Sequence, residues 1–82
     1  MNHDEAVTVV TNALRRVAPE ADLSTVHPDA PLQDELDLDS MDFLNLMVAV
    51  HEQTGIEVPE RDYPVVAHLQ GLLDYLVARS RP

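Results

Sequence analysis

The chain has 82 residues, of which fifteen are Asp or Glu and five are basic, giving a formal net charge of −10. A chain of that length is one small domain and buries only about 60% of its unfolded surface, which allows one core but not a core, a deep cleft and a catalytic constellation together. The hydrophobic fraction of 45% argues against disorder, and the absence of cysteine excludes disulfides, thiolate metal sites and a cysteine nucleophile.

The cations are all arginine: Arg15, Arg16, Arg61, Arg79 and Arg81. Such a balance repels nucleic-acid phosphates and anionic membranes and favours basic protein partners. No apolar run approaches the roughly 20 residues of a membrane span. Met1-Asn2-His3-Asp4-Glu5 offers no basic leader segment. The expectation is a cytoplasmic monomer with no nucleic-acid partner and no membrane span.

Asp4 to Val17 reads as a helix, with Val7, Val10, Leu14 and Val17 on one stripe, acids in the first turn and Arg15 and Arg16 in the last. Pro19 closes it. A long connection from Pro19 to Asp39 follows, rich in Pro and turn formers. Its Leu23, Val26, Leu32, Leu36 and Leu38 are expected to pin it to the core. Ser40 to Thr54 reads as a second helix, apolar over more than one stripe through Phe43, Leu44, Leu46, Met47, Val48 and Val50. That surplus fits either a central helix packed on several sides or a face for a partner or an apolar cargo, for which Leu44, Met47, Val48 and Val65 are the candidates. For each of these four taken singly, core packing is the favoured reading. Gly55 suits a left-handed stop, and Pro59 keeps Val58 extended. Glu60 to Val66 is a short helical turn interrupted by Pro64. Leu69 to Ala78 is the last helix, with Arg79 and Arg81 at its end and Gly71 as an internal weak point. No alternating strand pattern is present. The fold class is all-α: a small four-helix bundle, three main helices and one short one, with a long first loop and a single domain over residues 1–82.

Between Asp34 and Asp42 stand five carboxylates, Asp34, Glu35, Asp37, Asp39 and Asp42, around one hydroxyl, Ser40. Ser40 lies where the polar loop becomes a helix, so either Ser40 or Asp39 can act as the N-cap. An EF-hand loop counted from Asp37 fails, because its sixth and twelfth positions are Asp42 and Val48 rather than Gly and Glu. A nucleophilic serine needs a nearby base, and His51 is about 16 Å away along the same helix. The histidines His3, His27, His51 and His68 have no metal spacing. A hydroxyl at a helix N-terminus does suit a phosphodiester, which free amides and the positive dipole end favour.

Asp39-Ser40-Met41 at the head of an apolar helix resembles the phosphopantetheine attachment site of acyl carrier proteins, where Asp-Ser-Leu is usual. The likeness covers nearly the whole chain, including Ile56-Glu57-Val58-Pro59 and Leu73-Asp74-Tyr75-Leu76. It implies that a phosphopantetheinyl transferase moves 4′-phosphopantetheine from coenzyme A onto Ser40, that acyl cargo rides on the arm as a thioester, and that the chain is a shuttle rather than an enzyme. Asp39 would help engage the transferase. Asp37, Met41, Asp42, Leu44 and Val48 would contact basic surfaces of acyl-transferring, ketosynthase or acyl-activating enzymes. This sequence departs from the family pattern at Met41, at Asp37 where Gly is common, at Phe43, and at Asn45 and His51 where acids are common. These departures point to a specialised fatty-acid, lipid or polyketide pathway. The alternatives are a peptidyl or aryl carrier of a nonribosomal pathway and an acidic helical adaptor that is never modified.

Ten acids lie between Asp29 and Asp62 with Arg61 as the only arginine among them. Self-repulsion on that scale should be screened by ions. The melting temperature is therefore expected to rise from low to moderate salt, and with divalent cations, in a calorimetric titration. A flat curve would show that repulsion does not limit stability.

Overall fold

The computed structural model describes residues 1–80, so the expectation for Arg81 lies outside the described residues. Four helices form in chain order: α1 (His3–Val17), α2 (Leu32–Glu35), α3 (Ser40–Thr54) and α4 (Leu69–Arg79). Leu23–Thr25 and Glu60–Asp62 are single turns of 3-10 helix. The only sheet-like pairing among the described residues is one antiparallel bridge between Pro31 and His68.

α1 begins earlier than the periodicity suggested because Asn2 caps it. The Asn2 side chain accepts from the Glu5 amide at 2.8 Å, and the Glu5 carboxylate accepts from the Asn2 amide at 3.0 Å. Two orphan donors are satisfied at once. The buried face is Ala6, Val10, Ala13 and Leu14, while Val7 and Val17 are only half-buried. The stripe is thus rotated toward alanine. Small residues there let α1 approach its neighbours closely. It packs most extensively on α3 and next on α4. Gln53 Nε2 donates to the Val9 carbonyl at 3.1 Å and Arg16 pairs with Glu52 at 3.2 Å, which ties the C-terminal end of α3 to α1. The Arg16–Glu52 pair is about half-exposed and adds little stability.

The first loop is held as expected by Val26, Leu32 and Leu38, which are buried, and by Leu23 and Leu36, which are half-buried. Backbone bonds add to this. The Leu32 amide donates to the Ala67 carbonyl at 2.8 Å, and the Gln70 amide donates to the Pro28 carbonyl at 3.0 Å. The second bond caps α4, whose N-cap His68 offers no side-chain acceptor. α2 is a single turn after Pro31 that the periodicity did not reveal. The short helical turn expected over Glu60–Val66 is present as the 3-10 turn Glu60–Asp62, tied to α4 by Tyr75 Oη donating to Asp62 at 2.8 Å. Burial, and then that bond, hold the Tyr75 phenol above its ordinary pKa, with Arg79 opposing. Arg79 lies 4.5 Å from the centre of the Tyr75 ring and 3.6 Å from Asp62.

The core draws on every main helix and the loops: Val10, Leu32, Leu46, Val50, Val66, Leu72 and Leu76 are fully buried, and among the described residues no polar or charged one is buried with them. Gly71 is explained by packing. A Cβ there would overlap the Val65 carbonyl oxygen, which lies against α4. Helix propensity alone says that Gly71→Ala gains about 1 kcal/mol. The contact reverses the sign, so Gly71→Ala is expected to lower the urea midpoint. A raised midpoint would mean that the 65–68 segment moves aside without cost.

Candidate functional site

The site is built where the first loop turns into α3. α2 stops at its C-cap Leu36, and the Leu38 amide reaches back to the Gln33 carbonyl at 2.8 Å. That six-to-one bond is the signature of a Schellman stop, which places the next residue, Asp37, in the left-handed region. Asp37 has φ 54°, the only positive φ outside glycine among the described residues. Glycine adopts this conformation without strain, and Asp is among the few other residues that tolerate it. The position at which the sequence departs from the family's Gly is therefore one where backbone geometry asks for it.

Leu38 is buried and anchors the chain, and Asp39 then caps α3. Asp39 Oδ1 accepts from the Asp42 amide at 2.8 Å, and the Asp42 carboxylate accepts from the Asp39 amide at 3.4 Å. Of the two candidate caps, Asp39 takes the role and Ser40 becomes the first helical residue, with its side chain exposed. The Ser40 and Met41 amides find no protein acceptor among the described residues. Two free donors and the positive dipole end thus face solvent beside the hydroxyl.

Rotation of α3 is fixed by Phe43, Leu46, Met47, Ala49 and Val50, all buried. At about 100° per residue, Ser40, Leu44, Val48, Met41 and Asn45 share the opposite arc of about 140°. Met41 is 64% exposed, Leu44 41% and Val48 47%. They form an apolar stripe that nothing among the described residues covers. Of the cargo or partner candidates, Met47 belongs to the core, while Leu44, Val48 and Val65 are exposed. Core packing, the favoured reading for each, therefore holds for Met47 and fails for the other three. The predicted site residues Asp37, Asp39, Ser40, Met41, Asp42, Leu44 and Val48 are brought onto the head and one face of a single helix.

The carboxylates divide their work. Asp39 and Asp42 cap α3. Glu35 accepts from the His27 amide at 2.7 Å and so braces the loop. Asp34 and Asp37 are exposed, and their side chains make no hydrogen bond among the described residues. Asp22 is exposed and caps the first 3-10 turn. Its bonds from the Ser24 hydroxyl and amide lower its pKa.

Tyr63 lies half-buried at the edge of the core. Its ring meets Phe43 edge-on, with centres 5.5 Å apart. It also borders two clefts, one of about 420 Å³ toward α2 and one of about 180 Å³ toward Val58. The larger grooves, about 620 Å³ and 630 Å³, contain none of the predicted site residues.

A family described as the phosphopantetheine attachment site matches residues 8–76. The chain belongs to the phosphopantetheine-bearing carrier family. It is 31% identical over 55 residues to an acyl carrier protein of Solidesulfovibrio magneticus, covering 67% of this chain and 70% of that one. It is 33% identical over 73 residues to acyl carrier protein AcpXL of Mesorhizobium japonicum, covering 72% and 78%. Acyl carrier protein 2, mitochondrial, of Arabidopsis thaliana is 29% identical over 78 residues, covering 95% of this chain and 58% of the relative. The protein is thus an acyl carrier rather than an enzyme, its prosthetic group is 4′-phosphopantetheine, and it serves partner enzymes. No described helix is long and apolar enough to cross a membrane.

The strained aspartate gives a test of the loop geometry. Asp37→Gly removes the left-handed strain and one charge from the acidic cluster, against a modest entropic cost in the unfolded chain. It is expected to stabilise by up to about 1 kcal/mol, or roughly 4–8 °C in a domain this small. Asp37→Ala keeps the strain and loses the charge, and should fall below Asp37→Gly in a thermal melt. Equal melting temperatures for the two would show that the backbone at this position is unstrained.

Proposed function

We propose that Ser40 carries the 4′-phosphopantetheine arm and that α3 presents it to the enzymes the carrier serves. The observation that carries this reading is the exposed Ser40 hydroxyl at the first position of α3, set there by the Asp39–Asp42 cap. In the loading step the Ser40 oxygen forms a new phosphoester bond to the pantetheine-bearing phosphorus of coenzyme A. The pyrophosphate bond breaks, and the adenosine bisphosphate leaves. The hydroxyl proton passes to a base of the phosphopantetheinyl transferase. Once attached, the group supplies a thiol that holds acyl cargo as a thioester.

Docking is divided between charge and apolar area. Asp37, Asp39 and Asp42 offer the acidic head that basic transferase and partner surfaces meet. Met41, Leu44 and Val48 offer the apolar stripe behind it. Farther along α3, Asn45 and His51 stand where charge would extend the acidic face, and Glu52 is already paired with Arg16. A face with charge at one end only suits acyl-transferring, ketosynthase or acyl-activating enzymes of a specialised fatty-acid, lipid or polyketide pathway. This reading places its site of action in the cytoplasm.

Incubation with coenzyme A, magnesium and a broad-specificity phosphopantetheinyl transferase, read by intact mass, tests the attachment. The expected result is a gain of one phosphopantetheinyl group, abolished in Ser40→Ala while that variant keeps its helical circular dichroism. Modification that persists in Ser40→Ala would move the attachment point elsewhere. Charging the loaded protein in parallel with acyl-, malonyl- and aminoacyl-activating enzymes then separates an acyl pathway from a peptidyl one.

A further inference from the structure

The chain has three methionines, and they occupy different environments. Met47 is 4% exposed in the core, Met1 is half-buried at the start of the chain, and Met41 is 64% exposed. Met41 directly follows Ser40 and begins the apolar stripe completed by Leu44 and Val48. We propose that Met41 is a site of reversible oxidation by peroxides, and that its oxidation switches off docking at the face that presents Ser40. This inference rests on the reading of Ser40 and α3 as the attachment and docking site.

The chemistry follows from the side chain. A leucine at this position would offer nearly the same apolar volume and no reactive atom. Methionine adds a polarizable thioether, which an oxidant reaches only where the sulfur is accessible. The Sδ lone pair attacks one oxygen of hydrogen peroxide. An S–O bond forms and the O–O bond breaks, sulfur is oxidised by two electrons, and the departing oxygen takes up protons and leaves as water. The product is a sulfoxide, polar and chiral, and methionine sulfoxide reductases return it to the thioether.

Position decides the consequence. Oxidation of Met47 would place a polar group among Leu46, Val50 and their neighbours and damage the fold. Met41 is 64% exposed and lies outside the buried core cluster, so its sulfoxide leaves the bundle intact. A partner whose apolar groups bury the stripe must instead cover an S–O dipole where it would otherwise meet a thioether. A polar group buried in this way weakens association by about tenfold. The switch therefore acts on recognition without acting on stability.

The test treats the unloaded protein with dilute hydrogen peroxide and removes residual oxidant with catalase. Peptide mass mapping then locates the added oxygen. Calorimetry gives the melting temperature, and kcat/KM for loading by the transferase is measured. Wild type and Met41→Leu are each compared with their own untreated samples. The expected result is a first oxygen on Met41, an unchanged melting temperature, a drop in kcat/KM of about tenfold in wild type only, and recovery after a methionine sulfoxide reductase. The proposal is overturned if Met1 or Met47 oxidises before Met41, or if peroxide changes wild type and Met41→Leu alike. If the untreated protein is not loaded at all, the attachment reading itself fails. If it is loaded and insensitive to oxidation of Met41, only the switch fails.

Discussion

The reciprocal cap between Asp39 and Asp42 is the interaction on which the site depends. It fixes the residue at which α3 begins. A start one residue later would make Ser40 the cap and turn its oxygen inward, onto the amide of the residue three places on. Because Asp39 takes that role, at 2.8 Å from the Asp42 amide, the Ser40 hydroxyl is left with nothing to do inside the protein. The core supplies the other coordinate. Phe43, Leu46, Met47 and Val50 set the rotation of α3, and rotation decides that Ser40 faces out. Axial position comes from a polar device and azimuth from an apolar one.

α3 is apolar on two faces, and only one of them is used by the fold. An uncovered row of Met41, Leu44 and Val48 on so small a protein invites association. The net charge of −10 opposes it, because two copies repel each other while a basic partner is attracted. Charge and exposed apolar area are therefore complementary parts of one surface. The first keeps the second available for a partner of the right sign.

Much of this was legible in the sequence, and the failures have physical causes. The spans of α1, α3 and α4 followed from apolar periodicity, and Gly55 marked the end of α3, where its φ is 73°. The loop-to-helix serine and its neighbouring carboxylates pointed to the site through the family's motif. Periodicity could not say which apolar face of α3 is buried, because both faces satisfy it. It misjudged α1 for a related reason: Val7 and Val17 outweigh alanine on any hydrophobicity count, yet Ala6 and Ala13 line the contact because small side chains permit close approach. α2 is one turn long, too short to show a period, and its Schellman stop was visible only as an unexplained Asp37. The demand for Gly71 came from the carbonyl of a segment six residues earlier in the chain, which no local rule contains.

The long first loop shows why a charge count overstates the charge available to a partner. Glu35 braces His27, Asp39 and Asp42 hold each other's amides, Asp22 holds Ser24, and Asp62 holds Tyr75 and faces Arg79. These acids are committed to the fold. Near Ser40, Asp34 and Asp37 alone among the five clustered carboxylates have no internal duty. A partner's basic groups can bind them without competing against a cap or a brace. Contacts to Asp39 or Asp42 draw on carboxylate oxygens that also define the start of α3, so binding there is coupled to helix stability. The acidic head thus divides into Asp34 and Asp37, whose side chains are free of internal bonds, and Asp39 and Asp42, which build the cap on either side of Ser40.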